Sequence, residues 1–231
     1  MNTCNRNIKG ILIDVDDTLL DFDESAKMSI SMAAEKKGLL LPENIWEVFQ
    51  KVNKGLWHDL EQGLLTNEEL FCIRWTKIFE TAGMEGDGPA FEKEFLNGLS
   101  LCAPLIEGGG EIVRYLHGKY KVAVASNGPY EQQAARLKKV GLSPYIDYLF
   151  VSGKIGHAKP SRAFFDACMK EMGDLRPAEI MMIGDSVSAD IIGAKDYGMQ
   201  TCWYNHKGLP ADHGYMADYK VDSLLEIKEI L

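Results

Sequence analysis

Five short runs of aliphatic and β-branched residues, separated by helix-like stretches, most constrain what this chain can fold into. They are 8–15 (IKGILIDV), 121–126 (KVAVAS), 147–152 (DYLFVS), 179–184 (EIMMIG) and 200–205 (QTCWYN). The stretches 109–117, 129–140, 161–172 and 188–197 carry helical period. Strands alternating with helices predict parallel βαβ units. Runs this continuously apolar suit a parallel sheet covered on both faces. The expected class is α/β, with helical layers on either side of the sheet.

Residues 21 to 102 break the rhythm and show helical period only. Ile45, Phe49, Val52, Leu56 and Leu60 recur at steps of three and four, as do Phe71, Trp75, Ile78 and Ala82, then Phe91, Phe95 and Leu99. Ala26, Ile30, Ala33 and Ala34 make a shorter stripe, and Asn67 with Glu68 and Glu69 looks like a helix start. Four helices are expected, forming a small bundle inserted after the first strand. The α/β domain is then discontinuous, 1–20 with 103–231, and the bundle is 21–102.

A chain of 231 residues, 46% apolar and 26% charged, can bury a core without staples. Its net charge of 25 − 34 = −9 offers no basic footprint for tracking a phosphate backbone, so no nucleic-acid polymer partner is expected. Cys4, Cys72, Cys102, Cys168 and Cys202 form no C-x-x-C and read as reduced thiols. MNTCNRNIKG has no apolar h-region and no apolar run approaches 18 residues. Neither signal peptide nor membrane span is expected, and the cytoplasm is the default compartment.

Open α/β sheets bind ligands at the carboxyl ends of their strands. Here strand one ends in Asp14-Val15-Asp16-Asp17-Thr18, and the next core strand in Ser126-Asn127-Gly128. Lys159-Pro160 follows the third, and Gly184-Asp185 ends the fourth, with Asp190 five residues on. Carboxylates crowded at one sheet edge repel each other and favour a hard divalent cation such as Mg²⁺, which keeps waters and takes a substrate phosphate oxygen. Asp14 is a plausible covalent nucleophile. Its charge opposes attack on a phosphate, and a cation with Lys159 would offset that repulsion. Asp16 could return across the turn as general acid, then base. Thr18 and Asp17 read as structural residues of the turn. Gly108-Gly109-Gly110 lacks the residues of a phosphate loop and reads as a turn into a helix. His58, His117, His157, His206 and His213 have no zinc-ligand spacing.

Taken in order, Asp14-x-Asp16-x-Thr18, Ser126, Lys159-Pro160 and Gly184-Asp185-x₄-Asp190 resemble the four motifs of the haloacid dehalogenase (HAD) superfamily. The resemblance implies a Rossmann-like, three-layer parallel sheet, and the insert is similar to a helical type-1 cap. It implies that Asp14 forms an aspartyl-phosphate and that Asp16 protonates the leaving group and then activates water. It further implies Mg²⁺ held by the Asp14 and Asp185 carboxylates and the Asp16 carbonyl, with Asp190 as an outer support. Ser126, Asn127 and Lys159 would bind the phosphoryl group. Asp17 stands where many members carry Gly.

Val52-Asn53-Lys54-Gly55-Leu56-Trp57, with Gly156-His157-Ala158 and Thr201-Cys202-Trp203-Tyr204-Asn205, resembles the bacterial pyrimidine 5′-nucleotidase branch. That implies action on pyrimidine nucleoside monophosphates; a monomer or homodimer is the expected assembly. Asn53 and Trp57, four residues apart on one helix face, either pack the cap or meet the substrate, with Trp57 stacking on a base. A sugar-phosphate phosphatase, a β-phosphoglucomutase-like phosphotransferase and a non-catalytic phosphate-binding protein are the alternatives.

Overall fold

A computed structural model describes residues 7–210 and 217–231; Cys4 and His213 lie outside them. From the N-terminus come β1 (Gly10–Ile13) and four helices, α1 (Phe22–Lys37), α2 (Ile45–Glu61), α3 (Asn67–Ala82) and α4 (Gly88–Leu101). Then follow α5 (Gly109–Leu116), β2 (Lys121–Ser126), α6 (Tyr130–Lys139), β3 (Tyr148–Val151), α7 (Ser152–Ile155) and α8 (Arg162–Met172). The chain closes with β4 (Ile180–Gly184), a π-helical turn Val187–Ile192 leading into α9 (Gly193–Tyr197), β5 (Gln200–Tyr204), β6 (Tyr219–Val221) and α10 (Ile227–Ile230). The chain divides into two compact units: one runs to Phe22 and resumes at Ala103, and the other is Asp23–Cys102.

The six strands form one sheet in the order β3-β2-β1-β4-β5-β6, every pair parallel. Five fall on the five expected runs. β6 is a sixth, its three residues too short to stand out as a periodic run. Strand alternation sends neighbouring residues to opposite faces. Ile11, Ile13, Val122, Val124, Met181 and Ile183 pack with Ile112, Val113 and Leu116 of α5. Leu12, Ala123, Ala125 and Met182 pack on the other face with Phe164, Phe165, Cys168 and Met172 of α8. Burial of each large side chain contributes about 1.5–3 kcal/mol, and three layers result.

The strand order reverses between β1 and β4. Connections to one side run β1 to β2 to β3, and to the other β4 to β5 to β6. Such a reversal leaves a crevice at the carboxyl ends of the two central strands. Beside it the chain departs into the helices and returns. The two passing segments are tied by Asp21 N–H donating to Pro104 O (2.9 Å), Ile106 N–H to Leu19 O (3.0 Å), and an antiparallel bridge between Leu20 and Leu105.

The helical unit has its own core. Thr66 caps α3 through a reciprocal pair with Glu69, Gly83 closes the helix at φ 67°, and Asp87 caps α4 by accepting from Ala90 N–H at 2.9 Å. Phe49, Trp75, Phe79, Phe91 and Phe95 form an aromatic cluster, with Trp75 and Phe91 centroids 4.2 Å apart. The buried faces differ from the expected stripes. On α3 they are Leu70, Arg74, Trp75, Ile78 and Phe79, so Phe71 and Ala82 are not fully buried; on α2 Asn53 is buried where Val52 was expected. The reason is an ion pair. Buried Arg74 meets buried Glu92 of α4 with two donors, Nε to Oε2 at 3.0 Å and Nη2 to Oε1, and lies 4.9 Å from the Phe95 ring centroid. Burial raises the Glu92 pKa, against the lowering by Arg74.

Removing one partner of such a pair strands a buried charge, at a cost of about 3–5 kcal/mol. Glu92→Ala is expected to lower the unfolding free energy by that much, read from the midpoint and slope of a denaturant titration. Joint replacement, Arg74→Met with Glu92→Leu, is expected to recover most of the loss in the same denaturant titration.

Candidate active site

Asp14 follows β1, its N–H donating to Ile183 O of β4 at 2.9 Å. The chain then turns tightly, with Leu19 and Leu20 N–H both donating to Val15 O at 2.8 Å. Asp17 occupies that turn at φ 60°, in the left-handed region that glycine favours and that Asp tolerates better than most residues. Its Oδ1 accepts from Phe22 N–H (3.1 Å) and its Oδ2 from Lys207 Nζ (2.6 Å). Thr18, wholly buried, crosses to β4: its Oγ1 accepts from Asp185 N–H (3.1 Å) and donates to Asp185 Oδ1 (3.4 Å). The turn therefore fixes Asp185 relative to Asp14.

Lys159 is buried, and its ammonium uses all three donors on the protein: Asp14 Oδ1 (2.7 Å), Asp190 Oδ1 (2.6 Å) and Ala125 O at the end of β2 (2.6 Å). The Lys159–Pro160 peptide is cis. Asp190 sits on the π-helical turn, its Oδ2 accepting from Ser186 N–H at 3.1 Å. A Cβ on Gly184 would lie 2.1 Å from that Oδ2, so only glycine fits there. Asn127 grips the backbone of Lys159 from both sides, Nδ2 donating to Lys159 O (2.9 Å) and Oδ1 accepting from Lys159 N–H (2.8 Å). Its side chain thus shapes the lysine loop.

Burial, with the nearby Asp190 charge and despite Lys159, pushes the Asp14 carboxyl up to about 7. Burial and the charges of Asp14 and Asp190 hold Asp185 well above the usual carboxylate range. Burial alone would lower the Lys159 pKa, but the two aspartates outweigh it and keep the ammonium above its ordinary value.

Ser126 is buried at the end of β2, and its Oγ accepts from Gly128 N–H (3.1 Å) and Gln133 Nε2 (3.0 Å). With both lone pairs engaged, its own proton is left to donate, which suits an anion. Asp16 stands apart from the other carboxylates. Its Oδ1 accepts from Arg136 Nη1 (2.5 Å) and its Oδ2 from Gln133 Nε2 (2.6 Å). Sequence reading passed over Gln133 and Arg136, both on α6. The available signal was three polar residues, Gln132, Gln133 and Arg136, on the face where a flanking helix is ordinarily apolar.

In the helical unit, Asn53 is 8% exposed, and its Oδ1 accepts from Trp57 Nε1 (3.1 Å) and Arg74 Nη1 (3.0 Å). That carbonyl is engaged in the unit's own packing. Trp57 is half-buried, edge-on to Phe71.

Carboxylate oxygens of Asp14, Asp185 and Asp190 lie within 4.8 Å of one another. Among the described residues no His or Cys joins such a cluster. An all-oxygen, anionic donor set at a strand edge fits a hard divalent cation such as Mg²⁺. Of the described cysteines, Cys72, Cys168 and Cys202 are free thiols, and burial pushes Cys168 and Cys202 up to about 12. No helix of the described residues is long and apolar enough to cross a membrane.

The chain is similar to known proteins along nearly its whole length. The chain is 28% identical over 226 residues to the HAD-hydrolase YfnB of Bacillus subtilis, covering 98% of this chain and 96% of YfnB. It is 29% identical to the pyrimidine 5′-nucleotidases PynA of Streptococcus pneumoniae (96% of this chain, 94% of PynA) and YjjG of Escherichia coli (96% of each). The crystal structure of YfnB bound to magnesium superposes with a TM-score of 0.90, covering 96% of this chain and 98% of YfnB at 28% identity. The L-2-haloacid dehalogenase of Xanthobacter autotrophicus shares the fold, at a TM-score of 0.74 and 19% identity over 95% of this chain and 96% of that one. Residues 8–198, the span from the first strand to the end of α9, match the haloacid dehalogenase-like hydrolases, and to that family this chain belongs.

Proposed function

We propose that this hydrolase is a Mg²⁺-dependent phosphomonoesterase that dephosphorylates pyrimidine nucleoside monophosphates through an aspartyl-phosphate on Asp14. The observation that carries the reading is Lys159, buried between Asp14 and Asp190 at the carboxyl ends of the central strands. The two pyrimidine 5′-nucleotidases among its relatives support the substrate class.

Asp14, Asp185 and the Asp16 carbonyl would hold Mg²⁺, with Asp190 supporting from behind Lys159. Once bound, the ion supplies positive charge that offsets repulsion between an anionic nucleophile and an anionic phosphate. The chain's own residues do the rest. Ser126 donates its proton to a phosphoryl oxygen, and Lys159 exchanges one of its three bonds for another. An Asp14 carboxylate oxygen bonds to phosphorus as the bond to the nucleoside 5′-oxygen breaks, and that oxygen takes a proton from Asp16. Water then attacks the phosphorus, giving a proton to Asp16. The bond to Asp14 breaks, and phosphate leaves. We read Asp23–Cys102 as the cap, carrying substrate choice through Trp57, with Asn53 steadying the indole. Stacking on a base would contribute about 1–3 kcal/mol.

Phosphate release from UMP, dUMP and dTMP with Mg²⁺, abolished by EDTA and exceeding release from sugar phosphates, is the expected result. Release from sugar phosphates alone would overturn the substrate class and keep the chemistry. Asp14→Asn is expected to lower kcat by about 10⁴-fold or more with an unchanged circular dichroism spectrum.

The pH dependence follows from the buried carboxylates. A ligand must lose its proton before it takes a metal. Below about 7 Asp14 is protonated in the metal-free protein, so Mg²⁺ binding there releases a proton and is weaker. Asp14 also holds its proton more tightly folded than unfolded. The metal-free fold therefore loses stability as pH rises from near 3.8 through about 7, and added Mg²⁺ should raise the melting temperature more above that window than within it. Calorimetric titration in two buffers of different ionisation enthalpy counts the released protons, and thermal melts read the stability.

A further inference from the structure

We propose that Gln133 and Arg136 are positioning residues for the Asp16 carboxylate. Arg136 anchors Oδ1 throughout, and Gln133 yields Oδ2 to the proton transfers. The inference rests on the reading of Asp16 as acid and base given above, and concerns how this chain aims that group.

Arg136 and Gln133 are both 0% exposed and, being three residues apart, share one face of α6. Arg136 Nη1 reaches Asp16 Oδ1 at 2.5 Å and Gln133 Oε1 at 3.2 Å. Gln133 Nε2 reaches Asp16 Oδ2 at 2.6 Å and Ser126 Oγ at 3.0 Å. This fixes the amide's orientation, because a flip would set its oxygen against the carboxylate and its N–H against the guanidinium. Both Asp16 oxygens are therefore held by buried donors of α6, each with one lone-pair direction left. Swinging an oxygen toward a leaving group or a water stretches the bond to its donor, so one hold has to give.

The two holds are unequal. The bond from Arg136 joins two opposite charges; the bond from Gln133 has a neutral donor, and charge-assisted bonds between ions are the stronger kind. Withdrawing the whole carboxylate would take an ion-pair partner from a buried guanidinium, which is strongly unfavourable. Rotation about the Oδ1 anchor avoids that and frees Oδ2 alone. Asp16 keeps 29% of its side chain exposed, so the carboxylate is not fully enclosed by its donors. Because one Gln133 nitrogen binds both Oδ2 and Ser126 Oγ, a single side chain sets the register between the proton-transfer group and the phosphate-site hydroxyl.

The test uses the full chain with Mg²⁺ and two substrates. p-Nitrophenolate leaves without needing a proton, so transfer of phosphate from p-nitrophenyl phosphate to Asp14 does not call on Asp16. The later hydrolysis does, since water gives its proton there. UMP calls on Asp16 in both steps. For Arg136→Met the expected result is a p-nitrophenolate burst of at least wild-type amplitude, approaching one per active site, then steady turnover slower by about 10-fold or more. UMP turnover is expected to fall by at least as much, with KM changed less than about 3-fold, and phosphorylated protein to accumulate in intact mass spectra during turnover. Arg136→Lys should restore part of the hydrolytic rate. Gln133→Leu should raise KM as well, since Ser126 loses a donor.

Wild-type rates in Arg136→Met would overturn the proposal. So would burst and steady-state rate lost in equal proportion in both Arg136 variants. If Arg136→Met does not fold, Arg136→Lys decides: a retained burst with slowed hydrolysis supports the anchor, and unaltered kinetics sink it. Should the wild-type chain itself form no phosphorylated Asp14 and release no p-nitrophenolate, the parent reading fails instead.

Discussion

A buried ammonium shared by two carboxylates is the interaction on which the active end of the sheet depends. Lys159 draws Asp14 from β1, Asp190 from the turn after β4 and the Ala125 carbonyl of β2 onto one nitrogen. Desolvating any one of these ions alone would be costly. Held together, each offsets the others' burial, so none can move far. Around them Asn127 fixes the backbone of Lys159, Thr18 fixes Asp185, and Gly184 leaves the space Asp190 occupies. What remains is more carboxyl groups than one ammonium can balance, and burial pushes Asp14 and Asp185 toward their protonated forms.

The sheet makes this assembly possible without long-range coincidence. Asp14 and Asp185 end adjacent strands, with Ile13 and Ile183 in register beside each other. Their proximity follows from strand pairing, and the reversal of strand order at that point keeps connecting loops from filling the crevice. The π-helical turn adds the last element by re-aiming Asp190 back toward β4, and such turns are frequent at functional sites.

Asp14, Ser126 and Asp185 could be picked out because each stands where an apolar run ends. Lys159 follows its strand only after α7, and its place in the ordered set of HAD-like motifs singled it out. Gln133 and Arg136 were not legible in that way. They lie mid-helix, where polar residues ordinarily face water, and their burial is decided by Asp16, more than a hundred residues earlier in the chain. Arg74 escaped for the same reason, since its partner Glu92 lies on another helix. Asp17 shows the opposite case. Its side chain gave no clue to the backbone, which lies in the left-handed region that Asp tolerates better than most residues. β6 went unseen because three residues carry too little pattern to stand above the background.

The bonds that join the two segments flanking the helices have a consequence for how such a chain can change over time. Leu20 and Leu105 face each other across an antiparallel bridge, so the eighty-odd intervening residues begin and end at nearly one point. A segment whose ends are already closed can lengthen, shorten or be exchanged at little entropic cost to its host, because closure entropy grows only slowly with loop length. Its replacement need not shift the register of any strand or the position of any charged group at the crevice. The helical unit and the charged crevice are therefore free to evolve as separate inheritances within one gene.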